Sequence, residues 1–249
     1  MHGLHEWTSR RSLCMSNPPT PMPTVVLVHG AWADGSSWQR VIPLLLEKNV
    51  PVVAVQNPTS SLADDVKATR QALAGIDGSV VLVGHSWGGA VITEAGNDPK
   101  VKALVYVAAF APKAGETLGE LVGAYPPPPG LGRIRDDGAG NLTLSVEGWI
   151  EDVASDLPEA EARVLAVLQP PLPGSTFGDK VTQAAWESRP NWYIVSADDR
   201  VVSVELEREF ARRMGARTTE LQASHLSLLS RPDAVAAVIL EAVHSVAGG

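Results

Sequence analysis

The stretch Ser79 to Ile92, SVVLVGHSWGGAVI, decides how this chain is read. Val80 to Val83 is a short β-branched run, fit for a buried strand, and it leads straight into Gly84-His85-Ser86-Trp87-Gly88 and a helix-compatible segment. Glycines two before and two after Ser86, with Gly89 beside them, remove the side chains that would collide across a sharp strand-to-helix turn. That turn would place Ser86 at the N-terminus of a helix, where unpaired N–H groups favour developing negative charge. With 22 glycines in the chain the GxSxG spacing alone is a weak signal, so the flanking strand and helix carry the inference.

Outward from this turn, short apolar runs alternate with helical patterns. The expected strands are Thr24 to Val28, Val52 to Val55, Val80 to Val83, Ala103 to Val107, Trp192 to Val195 and Thr218 to Leu221. This rhythm builds an α/β fold, a mostly parallel sheet with helices on both faces. Leu62, Val66 and Leu73 share one helical face, as do Val235, Val238, Ile239, Ala242 and Val246, the latter helix with Ser230 as its expected N-cap and Pro232 in its first turn. Pro43 should kink the Trp38 to Lys48 stretch or delay its start. The rhythm stops between about 111 and 189, where AYPPPPG, a Gly/Asp-rich turn at Asp136 to Gly140 and a helical stretch from Val146 to Leu168 read as a cap insertion with no strand of the main sheet. Residues 24–110 and 190–249 then form one core.

At 249 residues, 45% hydrophobic and 19% charged, the chain has enough material for one packed domain without staples. A net charge of −8 leaves no basic field for nucleic acid or anionic membranes. Residues 1–23 read as a disordered or extended tail, with Met15 as a second candidate start. Cys14, the single cysteine, excludes an internal disulfide or cysteine-rich metal site. Ser9-Arg10-Arg11 is followed by prolines rather than an apolar export segment, and no uncharged run reaches about 18 residues, so the expectation is a cytoplasmic protein.

A serine hydroxyl needs a base to become a nucleophile. Of six histidines, His2 and His5 are in the tail, His244 is near the C-terminus, and His85 reads as structural. His225 stands in QASHLSLLS, just past the last strand. Taken alone it serves equally as a structural polar residue or as the base, and its place in the order Ser, Asp, His favours the base.

With VVLVHGAW at Val25 to Trp32, GHSWGG at Gly84 to Gly89, DDRVV at Asp198 to Val202 and SHLSLLSRP at Ser224 to Pro232, the chain resembles the α/β-hydrolase family over nearly everything from Thr24 onward. It is most similar to the branch of small bacterial carboxylesterases, plant methyl-ester esterases and hydroxynitrile lyases. The resemblance implies that the backbone N–H groups of Ala31 and Trp87 hold the oxyanion, and that His29 shapes that loop through hydrogen bonds. The acid in such hydrolases precedes one variable residue and an aliphatic, which selects Asp199, before Arg200-Val201, over Asp198. Like charges at adjacent positions agree: one should turn outward, with Arg200 to neutralise it, and Asp198 would stabilise the turn.

The expected function is a serine carboxylesterase acting on small to medium esters through an acyl-enzyme, with Ser86, His225 and Asp199 as triad. No cofactor or metal is expected, since no phosphate-binding lysine, GxGxxG or HExxH is present. Hydroxynitrile lyases carry a lysine after the catalytic histidine and a threonine in the first oxyanion loop, where this chain has Leu226 and Gly30, so lyase activity is not expected. Cofactor-free perhydrolysis, carbon–carbon bond hydrolysis and a non-catalytic ligand-binding role are the alternatives. Tyr125, Trp149, Phe177 and Trp186 are the aromatic candidates for pocket walls.

Overall fold

In the computed structural model, which describes residues 22–248, six parallel strands form one sheet in the order β2-β1-β3-β4-β8-β9. They are β1 (Thr24–Val28), β2 (Val52–Val55), β3 (Val80–His85), β4 (Val101–Val107), β8 (Asn191–Ser196) and β9 (Arg217–Leu221). Each expected strand is present, four of them a residue or two longer. Cys14, His2, His5 and most of the expected tail lie outside the described residues.

Side chains alternate between two cores because successive residues of a strand point to opposite faces. Val26, Val28, Leu82, Leu104, Tyr106 and Tyr193 pack under α2 (Leu62–Ala74), α3 (Trp87–Ala95) and α7 (Val204–Met214). Val25, Leu27, Val81, Val83, Trp192 and Ile194 pack under α1 (Val41–Leu46) and α9 (Pro232–Ala247). Helix α1 starts late, at Val41, which puts Pro43 in its first turn. Helix α9 has Pro232 at its start as expected, but its N-cap is Arg231, because Ser230 ends a separate turn of helix, α8 (Ser227–Ser230).

Between β4 and β8 the chain makes α4 (Leu118–Gly123), a three-stranded antiparallel sheet of β5 (Ile134–Asp136), β6 (Asn141–Leu144) and β7 (Leu172–Pro173), and the helices α5 (Val146–Gly148) and α6 (Glu159–Leu168). The continuous helix expected over Val146 to Leu168 is broken. A turn of wide helix, Trp149–Val153, follows α5, and the chain unwinds before Pro158, whose ring and missing N–H end any helix entering from the N-terminal side. No helix among the described residues is long and apolar enough to cross a membrane.

Candidate active site

The C-terminal ends of the parallel strands, where open α/β sheets gather their ligands, bring the candidate residues to one edge. Ser86 joins β3 to α3 with φ 52° and ψ −122°, a conformation a side chain holds only when its surroundings impose it. A Cβ on Gly84 would lie 2.6 Å from the Gly88 carbonyl oxygen, and one on Gly88 2.6 Å from that of Val28, so the turn closes only on glycine. The Ser86 amide donates to the Val107 carbonyl at 3.2 Å, and its own carbonyl accepts from Gly89 and Phe110 at 2.9 and 3.1 Å.

His225 is buried in the loop after β9, and its Nδ1 lies 2.5 Å from Asp199 Oδ2. An ionised carboxylate only accepts, so Nδ1 carries the proton and Nε2 is left as a base. Burial works against the Asp199 charge, but the His225 ring and hydrogen bonds to the carboxyl outweigh it and hold its pKa below the ordinary value. His85 Nε2 donates to the His225 carbonyl at 2.9 Å, with the two rings 4.7 Å apart. Burial, and next the neighbouring His225, push His85 down to about 3, so it is neutral. The hydrogen bonds of the described residues join His225 to Asp199 but not to Ser86 Oγ. His85, next to Ser86 in the chain and bonded to His225, connects the two loops, and such catalytic bonds commonly close only around substrate.

The acid turn corrects two expectations. Asp198 is exposed, and Asp199 stabilises the turn as well as contacting His225: its Oδ1 accepts the Val201 and Val202 amides at 2.7 and 2.9 Å. Those free amides converge on the inward carboxyl, leaving Asp198 only a backbone tie to Ala223. Arg200 does not neutralise Asp198 either. Its Nε donates to Asp152 Oδ1 at 2.8 Å, a fully buried carboxylate 48 positions earlier that a reading of sequence neighbours could not supply.

Ala31 and Trp87 line one cavity with Ser86, and neither amide donates to a protein acceptor among the described residues. His29 Nε2 accepts the Asn57 amide at 2.9 Å, so its Nδ1–H donates to the Gly30 carbonyl at 2.9 Å and ties down the chain just before Ala31. The Trp87 indole donates to Asp65 at 2.7 Å, a carboxyl that burial raises to about 6. The cavity is also lined by Trp32, Phe110, Leu118, Val122, Leu131, Leu172, Phe177, Val201 and Val202, with no charged side chain. Of the four expected aromatic walls only Phe177 faces it. Trp149 and Trp186 are core, and Tyr125 packs at the edge of the core. Leu226 is buried beside His225.

One buried acid next to this site escaped the sequence reading: Glu207 of α7, whose Oε2 accepts the Ser196 amide at 3.0 Å. Its signal is its position, three before Phe210 and seven before Met214 on the buried face of the helix. No group of three or more His, Cys, Asp or Glu among the described residues is placed to hold a metal.

The sequence profile described as the alpha/beta hydrolase family matches residues 25–238. An alpha/beta hydrolase of Aspergillus novofumigatus is 28% identical over 88% of this chain and 96% of its own length. A pyrethroid hydrolase of Sphingobium wenxiniae is 28% identical over 87% and 86%. The crystal structure of a pyrethroid hydrolase from Sphingobium faniae superposes with a TM-score of 0.77 at 23% identity, covering 91% of this chain and 99% of that one.

Proposed function

Because the chain belongs to the alpha/beta hydrolase family, we propose that it is a serine carboxylesterase in which Ser86 is the nucleophile, His225 the base and Asp199 the acid. The observation that carries this reading is the 2.5 Å contact between His225 Nδ1 and Asp199 beside a serine held at φ 52°. Ser86 Oγ attacks the ester carbonyl carbon while Nε2 of His225 takes its proton. The charge gathers on the carbonyl oxygen, where the Ala31 and Trp87 amides receive it; losing one such donor typically costs about 3 to 4 kcal/mol of transition-state stabilisation. His225 then protonates the departing alcohol, and water, activated by the same imidazole, releases the acid and restores Ser86.

The substrate follows from the cavity walls. They are apolar and uncharged, so a neutral acyl or alcohol group gains by burial and a charged one loses its hydration without a partner. The resemblance to pyrethroid hydrolases supports hydrophobic esters. Purified protein should turn over p-nitrophenyl acetate and butyrate, and a fluorophosphonate should label Ser86. A Ser86→Ala protein that still hydrolyses these esters refutes the mechanism. Labelling without turnover would instead point to a ligand-binding role.

A further inference from the structure

Behind the Asp199–His225 pair lies a carboxyl group that the proposed mechanism leaves idle. Glu207 is fully buried on the sheet-facing side of α7. Its Oε2 takes the Ser196 amide, while Oε1 is buried with no donor facing it. The carboxyl is in hydrogen-bonding contact with that of Asp199. Ionised carboxylates are acceptors only, so two of them form such a contact only through a proton. The donors around each acid decide which one carries it. Asp199 receives three, from His225 Nδ1 and the Val201 and Val202 amides, whereas Glu207 receives one. The other charged or titratable groups facing Glu207 do not compensate it. The Tyr193 hydroxyl of β8 donates to the Ala109 carbonyl at 2.5 Å, and Arg208, next along α7, turns away to pair with Glu220 of β9.

We propose that Glu207 is held as the neutral acid and donates its proton in a hydrogen bond to Asp199, which makes it the positioning residue of the acid that orients His225. It contacts no substrate and exchanges no proton in the cycle. It supplies the fourth donor to a carboxylate that burial would otherwise leave under-solvated, and so fixes the plane from which Oδ2 meets the imidazole. Burial and the nearby Asp199 charge both push the Glu207 pKa well above the ordinary carboxylate value, in the direction this assignment requires. The positioning role rests on the esterase reading, but the location of the proton does not.

Two measurements separate these parts. The infrared difference spectrum between wild type and Glu207→Gln at pH 7 should show the carbonyl stretch of a protonated carboxylic acid, lost in the variant; its absence overturns the proposal whether or not any ester is hydrolysed. In ester turnover, Glu207→Leu, which lacks a donor, should lower kcat by about tenfold or more with KM little changed. Glu207→Gln keeps a neutral donor and should recover most of that loss, with the acid limb of the kcat/KM profile where it is in wild type. A limb moved down by about one pH unit in Glu207→Gln would mean that a negative charge had been removed from beside His225, and so that Glu207 was ionised. Full kcat in Glu207→Leu would also overturn the positioning role. If the leucine variant does not fold, the infrared band and the glutamine profile still decide.

Discussion

Asp199 and Asp198 are neighbours in sequence and opposites in environment, and the difference should be visible in kinetics. Asn at 199 would set an amide against the His225 Nδ1–H or against the Val201 and Val202 amides, so one side of the side chain meets donors with a donor. Asp199→Asn should lower kcat by about 10²- to 10⁴-fold, while Asp198→Asn, which alters an exposed carboxyl, should stay close to wild type. Equal losses would mean that the turn presents both acids to the site. His85 makes a prediction about stability rather than rate. Its neutral ring is buried with Nε2 on the His225 carbonyl, and its pKa falls from 6.5 to about 3 on folding. Between those values the unfolded chain binds a proton that the folded one refuses, so this contribution is present above pH 6.5 and lost as pH falls. The loss approaches about 1.4 kcal/mol per pH unit. His85→Gln keeps an N–H donor but does not titrate. Denaturant unfolding between pH 6.5 and 4 should therefore show a shallower slope for the variant, by about one proton, with the same-signed contribution of His29 unchanged in both proteins.

At the scale of elements, the β3–α3 elbow leaves no room for adjustment, because the atoms that a new side chain would meet are backbone. A Cβ at position 88 would sit 2.6 Å from the Val28 carbonyl oxygen and 2.7 Å from that of His29, so β1 or α3 must move. Gly88→Ala should cost about 1 to 3 kcal/mol by thermal unfolding and abolish fluorophosphonate labelling of Ser86. Gly123→Ala is the control. Its Cβ meets open space at the end of α4, and the melting temperature should hold or rise slightly. This elbow could be read directly from residues, as could the central strands β1, β3, β4 and β8, since a strand buried on both faces is a run of apolar, largely β-branched residues with no phase to misjudge. Asp199 was favoured by its resemblance to the family's pattern, one variable residue before the aliphatic Val201, and it is Asp199 rather than Asp198 that contacts His225. What escaped has physical reasons too. Strands β5, β6 and β7 are two to four residues long, mix Arg, Asp and Asn with leucine, and pair β6 with a segment about 30 positions away. Their pairing is set by packing rather than pattern. Glu207 was hidden because α7 is rich in acids that read as a solvated face, although its phase with Phe210 and Met214 marks it as inward.

Over the whole molecule, the segment between β4 and β8 is fastened to every loop that carries the site. The Trp32 indole, next to Ala31, donates to the Leu142 carbonyl of β6 at 2.8 Å. Asp156 accepts the Ser224 amide and hydroxyl at 2.9 and 2.5 Å, immediately before His225. Asp152 accepts Arg200 at 2.8 Å, immediately after Asp199, and the Gly130 amide donates to the Arg200 carbonyl at 2.7 Å. The cavity is built from both sides of this seam, with Val201 and Val202 from the core and Leu131, Leu172 and Phe177 from the inserted segment. Loosening the seam should therefore disturb the fit of the ester more than the chemistry. Arg200 is half-exposed and Arg133 still holds Asp152, so the coupling between Arg200→Gln and Asp152→Asn in a double-mutant cycle on unfolding should be only about 1 kcal/mol. In the same Arg200→Gln protein KM should rise about threefold or more while kcat stays within about twofold, the pattern of lost binding that is equal in ground and transition states. If kcat falls and KM holds instead, the Arg200–Asp152 pair acts on the Asp199 turn itself, and the seam would be part of how the acid is aimed at His225.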